Sequence, residues 1–529
     1  MQGLIRFARL GRAHLQRAQR RAGSCLGPIP RSIGIHRAVV VERFNSWTYL
    51  QELLNELSAV LRTNGVEHLV LQNTTSPDHR IAVNAADARR VVEVLVGASR
   101  SRGWWAARSR DGVTGPARPL GRRRLGRATG LLISRNLISP SGVPLTHSEL
   151  GVLIEFWRRT EADTPRSAGG VLPAGTLLAP TPNGRLDYVD VASWRRAQAV
   201  ENRVDQPPTP HLLSVNEPVD LVYTWVDGED PAWLARKAEA LGRPTAASYT
   251  GDAALAARFL SRDELRYSLR SAEMFAGWAR RIWVVTDRQV PHWLKPDGRL
   301  SVVDHAAIFA DPRALPVFNS HAIESQLHHI EGLAERYLYL NDDMLFGAPV
   351  SPENFFHGNG VSKVFTSRVA LIDPAPPNGH DLAVMAAAKN NRRLLEQEFG
   401  RTITHKLWHT PQPHSRALME EFERTHSSLF DTVMRSRLRT VTDYSLTSAL
   451  DAYYAMVAGR AAPGRIRYGY LDLGSPDMWM TLELWLRRRD VQCLCINDST
   501  SDDSKHKAEK ESALLEFFES YYPVPSPWE

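Results

Sequence analysis

Residues 339–347 read YLNDDMLFG, an apolar run that stops at two adjacent carboxylates, Asp342 and Asp343, before apolar residues resume. The tract YLYL of residues 337–340 suits a central strand, which avoids charge along its length, so the aspartates mark its end. Neighbouring carboxylates resist joint burial unless a cation or hydrogen-bond donors meet them. A hard divalent cation, Mg2+ or Mn2+, held by Asp342 and Asp343 and bridging to a substrate phosphate, answers that need. The alternative is a strand-to-loop turn open to water.

Working outward, DLVYTWV (220–226) reads as a strand, residues 262–278 as a helix, RRIWVVTD (280–287) and SVVDH (301–305) as strands, and SHAIESQLHHIEGLAER (320–336) as a helix leading into YLYL. Such alternation predicts an α/β fold, a mostly parallel sheet flanked by helices. Ligands of these sheets collect at the carboxyl ends of strands. Asp227, Asp287 and the Asn341-Asp342-Asp343 triplet all fall at such ends, which predicts a carboxylate rim.

Other candidates group around that rim. Trp225 can stack on a base or sugar ring, and Asp227-Gly228 is a turn whose aspartate either closes the turn or faces a ligand. Arg262, Arg266 and Arg270 stand four residues apart, a row suited to a diphosphate or to ion pairs with Asp263 and Glu264. Ser320 is placed to cap a helix, with Glu324 one position beyond capping-box spacing and so available. Adjacent His328 and His329 diverge by about 100 degrees on a helix, which predicts partial solvation rather than metal binding. His405, His409 and His414 crowd a proline-broken segment before Arg437 and Arg439, and histidine is suited to proton transfer near neutral pH. Asp498, Asp502 and Asp503 precede a final helix bearing Leu514, Leu515, Phe517 and Phe518, and capping is their expected role.

The remaining sequence sets the context. A chain of 529 residues with 43% hydrophobic and 23% charged residues is globular and exceeds one ordinary core. Residues 1–40 read as a flexible basic leader, 41–200 as a smaller N-terminal α/β module with a basic loop, and the proline-rich 201–218 as a linker. The formal charge of +7 is concentrated in arginines of the first third, which suits phosphate or anionic lipid. Leu4, Ile5, Phe7, Leu10 and Leu15 can share one side of a basic helix, giving a peripheral membrane contact as the alternative to a disordered leader. No base-reading motif occurs and a carboxylate rim repels a phosphate backbone, so no nucleic-acid partner is expected. Three cysteines, Cys25, Cys493 and Cys495, make no disulfide framework, and no apolar leader or spanning segment is evident. A cytoplasmic location, at most on the inner face of a membrane, is the expectation.

Four blocks in order, DLVYTWVDGEDP, residues 259–347 running from FLSRDELRY to YLNDDMLFG, the histidine and arginine block of about 404–459, and INDSTSDD through FFESYYPVPSPWE, resemble the Stealth family of sugar-1-phosphate transferases. That family includes bacterial capsule-type phosphotransferases and the catalytic precursor of the lysosomal-enzyme N-acetylglucosamine-1-phosphotransferase. The resemblance implies a glycosyltransferase-A-like catalytic domain over 219–529. It further implies transfer of hexose-1-phosphate, such as N-acetylglucosamine-1-phosphate, from a UDP-sugar to a hydroxyl of a polysaccharide or glycan, releasing UMP. An ordinary metal-dependent glycosyltransferase releasing UDP is the alternative. By carry-over, Glu324 and Asp343 belong to the catalytic centre and Arg439 holds phosphate. Asp227, Arg262, Arg266, Asn341 and Asp342 fill surrounding motif positions. Relatives often show histidine-x-proline-histidine where this chain has His409-Thr410-Pro411-Gln412-Pro413-His414, so either His409 or His414 is the proton acceptor.

Overall fold

The computed structural model describes residues 38–71, 78–110, 112–121, 125–146, 150–166, 169–182, 186–200, 202, 212–241, 259, 261–498 and 507–529. The basic leader up to residue 37, with Cys25, lies outside them, as do Asp502 and Asp503. The chain divides into two compact units, Met1–Thr209 and Pro210–Glu529.

In the first unit, Asn45 caps the helix Ser46–Thr63 by accepting from the Trp47 and Thr48 amides at 3.0 and 3.2 Å. Apolar residues at helical spacing, among them Leu50, Leu53, Leu54, Leu57 and Leu61, bury the face that the pattern predicts. The sheet is mixed: Arg80–Asn84 runs parallel to Val152–Arg159, which pairs antiparallel with Gly130–Arg135 on its other side. Trp157, Leu69 and Trp194 belong to its core.

The second unit is built on strands β1 (Val219–Thr224), β2 (Ile282–Thr286), β3 (Leu300–Asp304) and β4 (Arg336–Asn341). Helix α1 (Glu264–Phe275) lies between β1 and β2, and α2 (Ser320–Glu324) precedes β4. β5 (Met344–Phe346) follows β4 after two residues. Later come α3 (Ala383–Phe399), β6 (Gln412–Ser415), α4 (Arg416–Thr425), α5 (Asp451–Val457), β7 (Tyr468–Asp472), β8 (Cys493–Asn497) and α6 (Lys507–Tyr521). The main sheet has the order β3-β2-β1-β4-β6; its first four strands are parallel and β6 is antiparallel. The sequence reading of a mostly parallel α/β sheet thus matches the observed order.

Asp220, fully buried in β1, is held by donors from three residues. Arg280 grips both oxygens at 2.8 and 2.6 Å, and Trp283 Nε1 and the Ala334 amide each donate to Oδ2 at 2.9 Å. A smaller sheet, β5-β8-β7, pairs Met344 with Cys495 and Phe346 with Cys493. Asp342 and Asp343 are therefore the two-residue passage from one sheet to the other.

Helix α1 closes the free edge of β5, because Ser268 and Ser271, three residues apart and so on one face, bond the Met344 carbonyl and the Phe346 amide. The C-terminal segment then packs over α1. Tyr267 stacks on Phe518, and Leu514, Phe517 and Tyr521 are buried, whereas Leu515, expected to join them, is exposed.

The arginine row is used here. Arg262 precedes α1 rather than lying on it, since Asp263 is the N-cap residue. Arg266 and Arg270 both grasp the Glu529 carboxylate, at 2.6 Å each, and Arg270 also bonds the Tyr522 carbonyl. The expected diphosphate row is, for these two residues, an intramolecular carboxylate clamp.

Burial pushes the Glu529 pKa up, but the bonds from Arg270, the Ser526 amide and Arg266 outweigh it, and the net shift is downward. A lowered folded-state value means the clamp stabilises above the ordinary glutamate range and fades as pH falls through the folded value. Glu529→Gln should therefore cost about 3 kcal/mol in urea denaturation at pH 7. The difference from the parent chain should shrink on acidification, and a constant difference down to acid pH would contradict the clamp.

Candidate active site

The passage between β4 and β5 gathers three carboxylates. Asp342 and Asp343 occupy the turn, and Glu264, from the first turn of α1, comes up beside them. Burial, then the nearby Glu264 and Asp343 charges, drives the Asp342 pKa well above the usual carboxylate range. Glu264 is raised too, chiefly by burial, against the lowering effect of the Arg262 amide that it accepts.

Asp343 reaches toward two groups. Its Oδ2 lies 3.7 Å from His409 Nδ1 and 3.5 Å from the Cys495 thiol, while His409 Nδ1 and Cys495 Sγ are 3.2 Å apart. Its Oδ1 is buried with no hydrogen-bond partner. Cys495 is carried there by the β5-β8 register, and His409 by Trp408, which stacks on Tyr468 of β7 and donates its amide to Phe365. Asp343 is largely covered, and the His409 side chain is 40% exposed, so the imidazole is the group of this trio that faces solvent most.

An orphaned buried oxygen amid three carboxylates fits a divalent cation. Asp343 and Asp342 would hold it. Cys495, completely buried, has its thiol pushed well up by burial and by Asp343, which favours a neutral S–H in the metal-free site. The carboxylate oxygens are the donors that Mg2+ or Mn2+ prefers.

The other sequence candidates fall into separate places. Glu324, the last residue of α2, is 2% exposed, accepts from Ser448 Oγ and adjoins Tyr339 of β4, whose hydroxyl is 3.0 Å from Thr224 Oγ1. Tyr339 lies on β4 two residues before Asn341, so Glu324 is joined to the rim through this tyrosine. The cap of α2 is Asn319, which accepts from the His321 amide, and not Ser320 as expected. Ser320 instead accepts from Arg439 at 2.7 Å. Asn319 is in turn anchored to Asp443, which also accepts from Ser436 and Thr440. Arg439 therefore sits by the start of α2.

Asp227 closes its own turn: Oδ1 accepts from the Glu229 amide at 2.9 Å, and Gln289 bonds its backbone on both sides. Gly228 is required there, because a Cβ would stand 2.1 Å from the Phe259 carbonyl. Trp225 follows β1, half-buried, with its amide bonded to Val285. Arg262 bonds Asp498 at 2.6 Å, so Asp498 is an ion-pair partner and not the helix cap expected of it.

His414 is placed apart from the rim. It pairs with Tyr337 across β4-β6, four residues before Asn341, roughly 13 Å along the strand. It is 1% exposed, bonds Asp451 at 2.6 Å and stacks on Tyr337. Of the two candidate histidines, His409 adjoins Asp343 and His414 adjoins Asp451. Glu264 and Cys495 were missed as rim residues. Glu264 had been weighed only as an arginine partner, and the strand register that delivers Cys495 leaves no local signal.

Stealth protein conserved regions 1, 2, 3 and 4 match residues 217–244, 258–364, 408–456 and 485–529. The exopolysaccharide phosphotransferase SCO6023 of Streptomyces coelicolor is 40% identical over 499 residues, covering 89% of this chain and 80% of that protein. The chain belongs to the Stealth family. A second Streptomyces coelicolor relative, exopolysaccharide phosphotransferase SCO2594, is 36% identical over 99% of this chain and 90% of its own length. Exopolysaccharide phosphotransferase CpsY of Mycobacterium tuberculosis is 38% identical over 60% of this chain and 59% of its own. A solved galactosyltransferase, LgtC, covers 59% of this chain and 98% of its own at 11% identity and a TM-score of 0.31, too low to carry an argument. This Stealth chain is accordingly an enzyme of the phosphotransferase class. All rim residues named here fall within the matched Stealth regions. Among its described residues, no helix is long and apolar enough to cross a membrane.

A buried His414–Asp451 pair is a stability element. His414→Gln should lose about 3 kcal/mol of stability in chemical denaturation while keeping turnover per folded molecule. A variant as stable as the parent but inactive would return His414 to the reacting centre.

Proposed function

We propose that the rim transfers a hexose-1-phosphate, such as N-acetylglucosamine-1-phosphate, from a UDP-sugar to a hydroxyl of an exopolysaccharide. An acceptor oxygen gives up its proton and attacks the β-phosphorus, the bond from the β-phosphorus to the oxygen that bridges it to the α-phosphorus breaks, UMP leaves carrying that oxygen, and a phosphodiester forms. The observation that carries the reading is the Asp343–His409 pair at the carboxyl end of β4, in a chain whose relatives are named exopolysaccharide phosphotransferases.

In this reading Asp343 orients the imidazole through Nδ1, leaving Nε2 across the ring to take the acceptor proton. A divalent cation, when bound by Asp342 and Asp343, supplies positive charge for the phosphate oxygens. Glu324 positions Tyr339 beneath the rim, Arg439 adds charge beside Ser320, and Trp225 and Asn341 border the donor. Residues 219–529 are the catalytic domain, and residues 1–200 serve acceptor recognition or docking at the inner face of a membrane.

Incubation of the purified chain with labelled UDP-N-acetylglucosamine or UDP-glucose, Mg2+ or Mn2+, and candidate glycans should yield UMP and a phosphodiester-linked product. Release of UDP would make it an ordinary glycosyltransferase. His409→Gln should reduce turnover about 10²- to 10⁴-fold without shifting the denaturation midpoint. Undiminished turnover would remove His409 as the base.

A further inference from the structure

His328 and His329 end a short turn of 3-10 helix, Leu327–His329, between α2 and β4. Their side chains do not diverge as helical neighbours would. The ring centroids are 4.1 Å apart, and both Nε2 atoms face one oxygen of α4, Glu423 Oε2, at 2.7 and 2.8 Å. The expectation of a partly solvated pair fails for His328, which is 1% exposed.

Hydrogen-bond inventory makes this contact informative. His329 Nδ1 lies 2.9 Å from the Ile308 carbonyl, which only accepts, so Nδ1 carries the proton. Nε2 of the neutral ring would aim a lone pair at carboxylate lone pairs, so either a proton on Nε2, which Glu423 favours, or a metal cation must lie between them. An imidazole whose Nδ1–H is fixed on a backbone carbonyl is also the usual form of an Nε2 metal ligand. His328 Nδ1 is buried with no hydrogen-bond partner, so nothing on that side dictates which nitrogen of the ring is protonated, and its Nε2 can serve as a lone pair toward the same point.

We infer that His328, His329 and Glu423 form a zinc-type site, separate from the Asp343 rim. Two imidazoles and a carboxylate are a donor set that zinc takes, with a fourth position left for water. His329 and Glu423 are 27% and 24% exposed, which gives an ion access while His328 closes the inner side. Tetrahedral bonds of about 2.0–2.1 Å place donor atoms roughly 3.3 Å apart, about half an ångström beyond the present spacing, within reach of small side-chain rotations. The ion would join two cores. Leu327 belongs to the cluster on the main sheet, and Phe422, next to Glu423, to the cluster of α3, α4 and α5.

The test uses the full chain carrying Asp343→Asn, so that the rim does not supply a competing ion. After chelator treatment and dialysis, zinc alone should bind one equivalent, raise the melting temperature by several degrees and be replaceable by cobalt(II) with tetrahedral absorption bands. Adding His329→Gln, the more exposed ligand and so the one best tolerated by the fold, should weaken zinc more than about a hundredfold and abolish the thermal shift. Glu423→Gln should do the same. Absence of zinc binding in the Asp343→Asn chain, or binding and thermal shift unchanged by His329→Gln, would overturn the assignment.

Discussion

Two aspartates form the whole connection between β4 and β5, and the rim is organised by the repulsion this creates. A two-residue passage cannot turn both carboxylates to water, because β5 must pair at once with β8 and bond α1 along its other edge. Burial, with the charges of Glu264 and Asp343, raises the proton affinity of Asp342, and burial with the charge of Asp343 raises that of Glu264. The fold thus holds these three carboxylates together through strand pairing and the packing of α1, before any ligand arrives. Pre-organised charge of this kind favours a cation, and through it a phosphate, without rearrangement on binding.

Much of this was legible in the sequence because it is local. The alternation of strands and helices follows from apolar periodicity, and the end of β4 from the first charge in a buried run. The histidine segment also announced itself, through composition. What sequence could not supply was pairing between distant segments. Whether Arg266 meets a phosphate or Glu529 depends on a contact across more than 250 residues. The same holds for Cys495 against Asp343, 152 residues apart, and for Glu423 against His328 and His329. Local rules failed in one further way. The helical divergence of neighbours does not govern a 3-10 turn whose two rings are drawn to one carboxylate.

The separation of the two histidines shows how a short segment divides its duties. Between His409 and His414 the chain enters β6, and pairing with β4 carries it toward the start of that strand. His409, just before the strand, stays beside the turn that follows β4. His414, within the strand, is fixed in the sheet and meets Asp451 of α5. Histidine near a site was therefore a weak signal, and position relative to the strand edge was the strong one.

The arginines argue for how phosphate charge is met. Arg262 holds Asp498 and adjoins Glu264 and Glu511, while Arg266 and Arg270 hold Glu529. A phosphate that drew Arg262 away would leave Asp498, 12% exposed, without that partner beside an already crowded set of carboxylates. Breaking such a pair costs about 3 kcal/mol, more than a typical charged hydrogen bond returns. The guanidiniums of α1 and its approach are thus better understood as counter-charges that let the acidic rim fold. In the proposed reaction the charge on a bound phosphate would fall to a cation on Asp342 and Asp343, with Arg439 contributing from beside Ser320.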